Sequence, residues 1–192
     1  MGTILQGLAL AEQGHREEGI AQAHRGLATL RVARAELPRP FCLTLLAETC
    51  ERIGQVEEGL EVLEEVRSIV DKTEAHVHEA ELYQLYGELS LRLGERASGR
   101  TGEKGSAAPS PPRLVAPSSP EECFLKAIDI TQKQQAKSWE LRAATSLARL
   151  WQQQGKHHEA HKMLSEIYDW FTEGFETKDL QEARGLIDEL KY

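Results

Sequence analysis

The sequence predicts an all-α chain: a solenoid of about four antiparallel helical hairpins closed by a C-terminal capping helix. Three observations carry this. Glycines that end helical patterns recur at a fixed spacing. Apolar residues advance by three and four along most of the chain. No β-branched alternation bounded by hairpin turns occurs.

The spacing comes first. Leu10-Ala11-Glu12-Gln13-Gly14, Cys50-Glu51-Arg52-Ile53-Gly54, Leu91-Arg92-Leu93-Gly94 and Gln152-Gln153-Gln154-Gly155 all end in glycine. Gly14 to Gly54 and Gly54 to Gly94 are each 40 residues, whereas Gly94 to Gly155 is 61, an excess of 21. The stretch 95–119 accounts for the excess. It is rich in Gly, Ser and Pro, holds few apolar residues, and reads as a flexible insertion. The expected organisation is therefore helical repeats over 1–94, the insertion 95–119, and repeats resuming over 120–192. Five residues past the glycine stands a small residue in three units, Gly19, Gly59 and Ala160. Glycine inside a helix costs roughly 1 kcal/mol against alanine, so its recurrence points to close helix packing.

The expected helices are 2–13, 16–34, 39–53, 56–72, 75–93, 120–134, 138–154, 157–172 and a capping helix 178–190. In the fourth, Val56, Leu60, Leu63, Val66 and Val70 form one stripe. In the fifth, Ala80, Tyr83, Gly87, Ser90 and Leu91 mark one side, broadened by Leu82, Leu85, Leu89 and Leu93. In the seventh, Trp139, Ala143, Ser146, Leu147, Leu150 and Trp151 do the same. Pro38 and Pro40 open the third helix. Ser119 and Glu122 form a capping box with Pro120 at the first helical position. Ser138 and Thr177 are expected caps, and Gly174 an expected stop. The last helix would turn Asp179, Glu182, Asp188 and Glu189 outward. Ile4, Leu5, Leu8 and Leu10 leave the first helix without a polar face, as a missing repeat or a self-association surface would require.

Composition narrows the functions. Net charge is −8 with no Lys/Arg block, which argues against a nucleic-acid partner, since phosphate neutralisation needs basic residues. No apolar run approaches the roughly 20 residues that span a bilayer, and no signal peptide is visible. The expectation is a cytoplasmic protein with no membrane role. Cys42, Cys50 and Cys123 lack the spacing of a disulfide framework or a zinc site, and read as buried hydrophobes.

Phe124-Leu125-Lys126-Ala127-Ile128 resembles the second-helix motif of tetratricopeptide repeats. The 40-residue period is similar to the long repeats of maltose-regulator-type activators. Glu57-Glu58-Gly59-Leu60, Glu79-Ala80-Glu81-Leu82-Tyr83 with Gly87-Glu88-Leu89, and the run Gln134 to Trp151 resemble the C-terminal repeat region of large bacterial adenylate/guanylate cyclase–ATPase signalling proteins. The resemblance implies a tetratricopeptide-like α-solenoid acting as a regulatory or partner-binding module, either by itself or as a fragment of a longer protein. It carries no catalysis across, because the cyclase and ATPase motifs have no match. Gly99 to Gly105 contains Gly-Glu-Lys-Gly but no Ser or Thr after Lys104, so it is no phosphate loop.

Candidate sites are weighed against plainer readings. His157 and His161 stand four apart on one helix, with His158 between them, yet no third ligand is well placed. They read as surface residues, as do His76 and His78. Glu17-Glu18, Glu57-Glu58 and Glu64-Glu65 suit helix starts and solvation rather than acid–base chemistry. No metal, cofactor or catalytic residue is expected. The aromatics Trp139, Trp151, Tyr168, Trp170, Phe171 and Phe175 crowd the last third, either packing the final hairpin or anchoring a partner. Chaperone-binding tetratricopeptide domains hold a carboxylate with basic residues on their first helices. Ten and six residues before each glycine stand Ile4 and Leu8, Thr44 and Glu48, Gln84 and Glu88, and Thr145 and Arg149, of which Arg149 alone is basic. A carboxylate clamp is not expected. The candidate partner-binding residues, in a groove or on an end surface, are Tyr83, Tyr86, Gln84, Glu88, Thr145, Arg149, Ile4 and Leu8. The expected function is a non-catalytic interaction or regulatory scaffold for a protein or peptide, with self-association through the N-terminal hairpin. The alternative is a small-molecule sensor with a pocket in the helical array.

Overall fold

The computed structural model describes residues 1–33, 38–73, 78–99 and 119–191. Among the described residues there are nine α-helices and no strand. The chain divides into two compact units, Met1–Pro117 and Ser118–Tyr192.

The first unit holds α1 (Gly2–Glu12), α2 (Arg16–Val32), α3 (Arg39–Ile53), α4 (Val56–Thr73) and α5 (Glu79–Gly99). Helices α1 and α2 pair, as do α3 and α4; α3 also lies against α1 and α2, and α5 packs on both α3 and α4. The α1–α2 crossing is made of small residues. A Cβ on Gly7 would sit 2.6 Å from the Gly19 carbonyl oxygen, and one on Gly19 would overlap the backbone of Gly7 and Ala11. Ala11 and Ala23 are buried beside them. Backbone therefore touches backbone, which no larger side chain would permit. Gly59 differs, because a Cβ there would meet the Leu89 side chain at 2.9 Å.

Ion pairs tie successive hairpins together. Arg52 reaches both Glu12 and Glu48, and Arg92 reaches Glu51. Arg31 meets Glu65 at 3.2 Å, and His24 hydrogen-bonds Glu58 at 2.6 Å. Glu12, Arg52 and Arg92 stand 40 residues apart in succession, so the repeat stacks these positions. Such exposed pairs contribute about 0–1 kcal/mol each. They set register more than stability, which comes from buried side chains such as Ile4, Leu46, Leu63, Val66 and Leu89, at about 1.5–3 kcal/mol each.

The second unit holds α6 (Pro120–Lys133), α7 (Lys137–Gln153), α8 (His157–Tyr168) and α9 (Lys178–Glu189). Helix α7 packs against α6, α8 and α9, and α8 also meets α9. The capping box forms: the Ser119 hydroxyl accepts from the Glu122 amide at 3.3 Å, and the Ser119 amide donates to the Glu122 carboxylate at 3.0 Å. Trp151 Nε1 donates to Glu121 Oε1 at 2.7 Å, clasping the end of α7 to the start of α6.

Four turns share one hydrogen-bond pattern. The amides of Gly14, Gly54, Gln135 and Gly155 donate to the carbonyls of Ala11, Glu51, Gln132 and Gln152. The next amides, of His15, Gln55, Ala136 and Lys156, donate to Leu10, Cys50, Thr131 and Trp151. This is the Schellman arrangement. Its left-handed residue has φ of 103°, 76°, 54° and 78° in that order. The carbonyl of each following residue then accepts the amide of Gly19, Gly59, Glu140 or Ala160, so one residue ends a helix motif and begins the next.

Several boundaries correct the sequence reading. Gly94 is not a turn: α5 runs through it to Gly99. Continuing the helix lets the Arg96 guanidinium reach back to the Gly54 carbonyl and, at 3.3 Å, to Glu57. Helix α8 ends at Tyr168 rather than 172, and α5 runs from Glu79, its expected start at 75 lying outside the described residues. Ser138 does not cap α7, because Ala136 takes that place after the Gln135 turn. Thr177 does precede α9, yet its hydroxyl donates to the Gly174 carbonyl at 2.8 Å instead of capping. The expected pairing of the fifth and sixth helices runs across 100–118, which lie outside the described residues, as do most of the 95–119 insertion and His76.

Candidate partner-binding site

Most of the expected groove residues are buried once folded. Ile4 and Leu8 are buried, not on an end surface; Ile4 fills the space above Gly26. Tyr86 is buried with Leu82, Leu85 and Leu89, and its hydroxyl donates to Glu64 Oε1 at 2.7 Å. It belongs to the α4–α5 contact. Gln84 and Thr145 are buried as well, with the Thr145 hydroxyl donating to the Leu141 carbonyl at 2.8 Å. Tyr83 and Glu88 are half-buried on α5. Arg149 is exposed.

Arg149 leads to an open groove between α7 and α9. Its volume is about 400 Å³, and Arg149, Gln152, Gln153, Glu182, Gly185, Leu186 and Glu189 line it. Helical spacing explains the set. Positions 149, 152 and 153 share one side of α7, and 182, 185, 186 and 189 share one side of α9. Glu182 and Glu189 thus face α7, correcting the expectation that they lie with Asp179 and Asp188 on an outer face. Arg149 bonds Glu182 at 3.0 Å, Lys178 bonds Glu182 at 3.5 Å, and Gln152 Nε2 donates to Glu189 at 3.4 Å. Partial burial works to raise the Glu182 pKa, but the hydrogen bond and charge of Arg149, joined by Lys178, outweigh it and hold the carboxyl below its ordinary range. A Cβ on Gly185 would meet nothing within 4 Å, so this stretch of α9 backbone opens onto free space.

His157 and His158 are exposed and His161 is half-buried. No group of three His, Cys, Asp or Glu among the described residues could hold a metal ion. Cys42, Cys50 and Cys123 are buried and form no disulfide, and burial pushes the Cys50 thiol up to about 12 and that of Cys123 to about 11. Both are thiols, not thiolates, at neutral pH. Among the described residues no helix is long and apolar enough to cross a membrane.

Two features escaped the sequence reading. Glu140 is buried at the register where other turns carry a small residue, bonded to Gln132 Nε2 at 2.9 Å and Lys137 Nζ at 2.7 Å. Its turn residue, Gln135, has no glycine to mark it, and Gln134-Gln135-Ala136-Lys137 matches Gln153-Gln154-Gly155-Lys156 only one residue out of the structural register, in which Gln135 and not Ala136 corresponds to Gly155. Gly185 carries no signal, because a glycine in a helix reads as a defect until the space beside it is seen.

In each unit, helices that open hairpins lie side by side, α1 with α3 and α3 with α5, then α7 with α9. That packing defines an all-α, TPR-like helical repeat. A crystal structure of the nearly identical TPR-like repeats of a Podosopora anserina protein named as a kinesin light chain is similar, with a TM-score of 0.61 at 19% identity over 99% of this chain and 92% of that one. At that identity the likeness establishes fold. No family model matches the chain, and no curated protein matches it in sequence.

Proposed function

We propose that the chain is a non-catalytic interaction scaffold and that the α7–α9 groove receives an extended segment of a protein partner. The observation that carries this is the open backbone at Gly185, set between Arg149, Gln152 and Gln153 on one side and Glu182 and Glu189 on the other. Glutamine amides both donate and accept, which suits a peptide backbone, and a glycine lets that backbone approach closely. The polar, acidic rim suits a basic or neutral segment better than a C-terminal carboxylate. A small-molecule sensor would instead use a closed apolar cavity, and this groove is open and polar.

Gly185→Trp fills the groove without changing its charge. Partners captured from the native cell by the wild-type chain are expected to be lost with Gly185→Trp and Arg149→Glu, and kept with Leu5→Glu at the far end of the sequence. Retention by both groove variants would refute the assignment. Self-association through the N-terminal hairpin would use the exposed Met1, Leu5 and Val32 rather than Ile4 and Leu8, and light scattering of Leu5→Glu tests it. The wider setting we propose is the regulatory repeat region of a cytoplasmic bacterial cyclase–ATPase signalling protein. Its support is the resemblance of the 57–60, 79–89 and 134–151 segments, and the sequence of the surrounding gene tests it.

A further inference from the structure

The connection between α8 and α9 is unlike any other described turn. Tyr168-Asp169-Trp170-Phe171-Thr172-Glu173-Gly174-Phe175-Glu176-Thr177 carries four aromatic rings and three carboxylates. Trp170 is 59% exposed and Phe175 45%, although rings of this size normally bury most of their surface. The loop is nevertheless built. The Phe171 amide donates to the Tyr168 carbonyl at 3.0 Å, Gly174 takes φ 78°, and both the amide and hydroxyl of Thr177 donate to the Gly174 carbonyl. The rings brace one another in two pairs: Tyr168 with Phe175 at 6.0 Å between centroids, and Trp170 edge-on to Phe171 at 5.2 Å. A surface held this way loses little conformational entropy when something docks on it.

We propose that this loop is a docking surface for a basic, arginine-bearing segment of a protein partner. Charge complementarity chooses the occupant. Asp169, Glu173 and Glu176 are all exposed, and no ion pair engages their carboxylates among the described residues. Aromatic faces attract cations, guanidinium most often. The Trp170 ring already has a cation beside it, since Lys137 Nζ lies 5.8 Å from its centroid. That ammonium is committed to Glu140 at 2.7 Å, so the three loop carboxylates are left for an incoming charge. An arginine can stack on Trp170 or Phe175 while its guanidinium meets one of those carboxylates. This surface lies by the N-terminal end of α7, whereas the groove begins at Arg149, twelve residues on and therefore ~18 Å along the helix.

The test uses the full chain and an acetylated, amidated octapeptide alternating arginine and proline. The readout is the indole N–H signal of Trp170 in a nitrogen–proton correlation spectrum, identified by its disappearance in Trp170→Ala. The arginine peptide is expected to shift that signal saturably, and a matched glutamate–proline peptide to leave it unmoved. Affinity, read for every chain by isothermal titration calorimetry, should weaken ~tenfold in Trp170→Ala and again in the triple variant Asp169→Asn, Glu173→Gln, Glu176→Gln, with loss of one cation–π contact and its charge support. It should not change in Arg149→Ala, which alters the groove. Should Trp170→Ala fail to fold, the triple variant changes only exposed carboxylates and decides alone. No saturable shift, an equal response to the glutamate peptide, or unchanged affinity in the triple variant would overturn the proposal. So would a shift that depends on protein concentration without peptide, which would mark a contact between copies of the chain.

Discussion

In the unit Met1–Pro117, the residue five past each left-handed turn is a glycine, Gly19 and then Gly59. In the unit Ser118–Tyr192, the same register holds Glu140 and then Ala160. All four amides make the same bond to the residue that ends the turn, yet their neighbours differ. Gly19 lies against the backbone of α1, and Gly59 lies against the Leu89 side chain. Glu140 is covered, with both carboxylate oxygens engaged by Gln132 and Lys137. Turn geometry and helix spacing are thus separate variables. Hydrogen bonding fixes the turn, and the side chain at the fifth position reports how near a neighbouring helix comes: α1 backbone at Gly19, the Leu89 side chain of α5 at Gly59.

Substitutions at these positions can break the contrast. The largest effect belongs to Gly19→Val, which forces bulk between two backbones and should destabilise the first unit by about 3 kcal/mol, read by urea unfolding. Gly59→Ala meets a side chain that can shift, so it should cost about 1 kcal/mol or less. Equal losses would show that the two crossings are the same. Glu140→Ala should cost about 2 kcal/mol by removing a buried, doubly bonded group, measured by thermal melting. Glu140→Leu should recover most of that loss, because a buried ion pair adds little over packed hydrocarbon. Gln135→Gly should gain about 1 kcal/mol by relieving a left-handed residue that has a Cβ.

The smallest effect is a dependence on pH. The Trp151 hydrogen bond lowers the Glu121 pKa; partial burial opposes it, and Lys156 adds to the lowering. A carboxylate held lower in the folded state contributes stability that is present above its unfolded value of about 4.3. That contribution is lost as pH falls through the lower folded value. Glu121→Gln should therefore melt below the wild type at pH 7 and converge with it toward pH 3.

Much of this architecture could be read from periodicity. Helix α4, set between α3 and α5, buries Val56, Leu60, Leu63, Val66 and Val70 as their spacing predicts. Helix α5 is less legible. It packs on both α3 and α4, so apolar residues cover more than one side, and the pattern could not separate Tyr83 from the buried Tyr86. The site was less legible still. Ten and six residues before a turn marks a position along a helix but not a direction around it, so Thr145 is buried while Arg149 is exposed. Gln152 and Gln153 sit on the same side as Arg149, but only the placement of α9 reveals that they line a groove. Gly94 misled because it keeps the spacing of a turn while lacking the hydrogen bonds that make one.

That last residue allows the most direct test of the account. The equilibrium stabilities of Gly54→Ala and Gly94→Ala can be measured side by side by urea unfolding. Gly54 sits at φ 76°, so alanine there should cost about 1 kcal/mol. Gly94 lies within α5 with open space beside it, so alanine there should gain about 0.5–1 kcal/mol. Opposite signs are the predicted result; a loss at both positions would contradict the account and restore Gly94 as a turn.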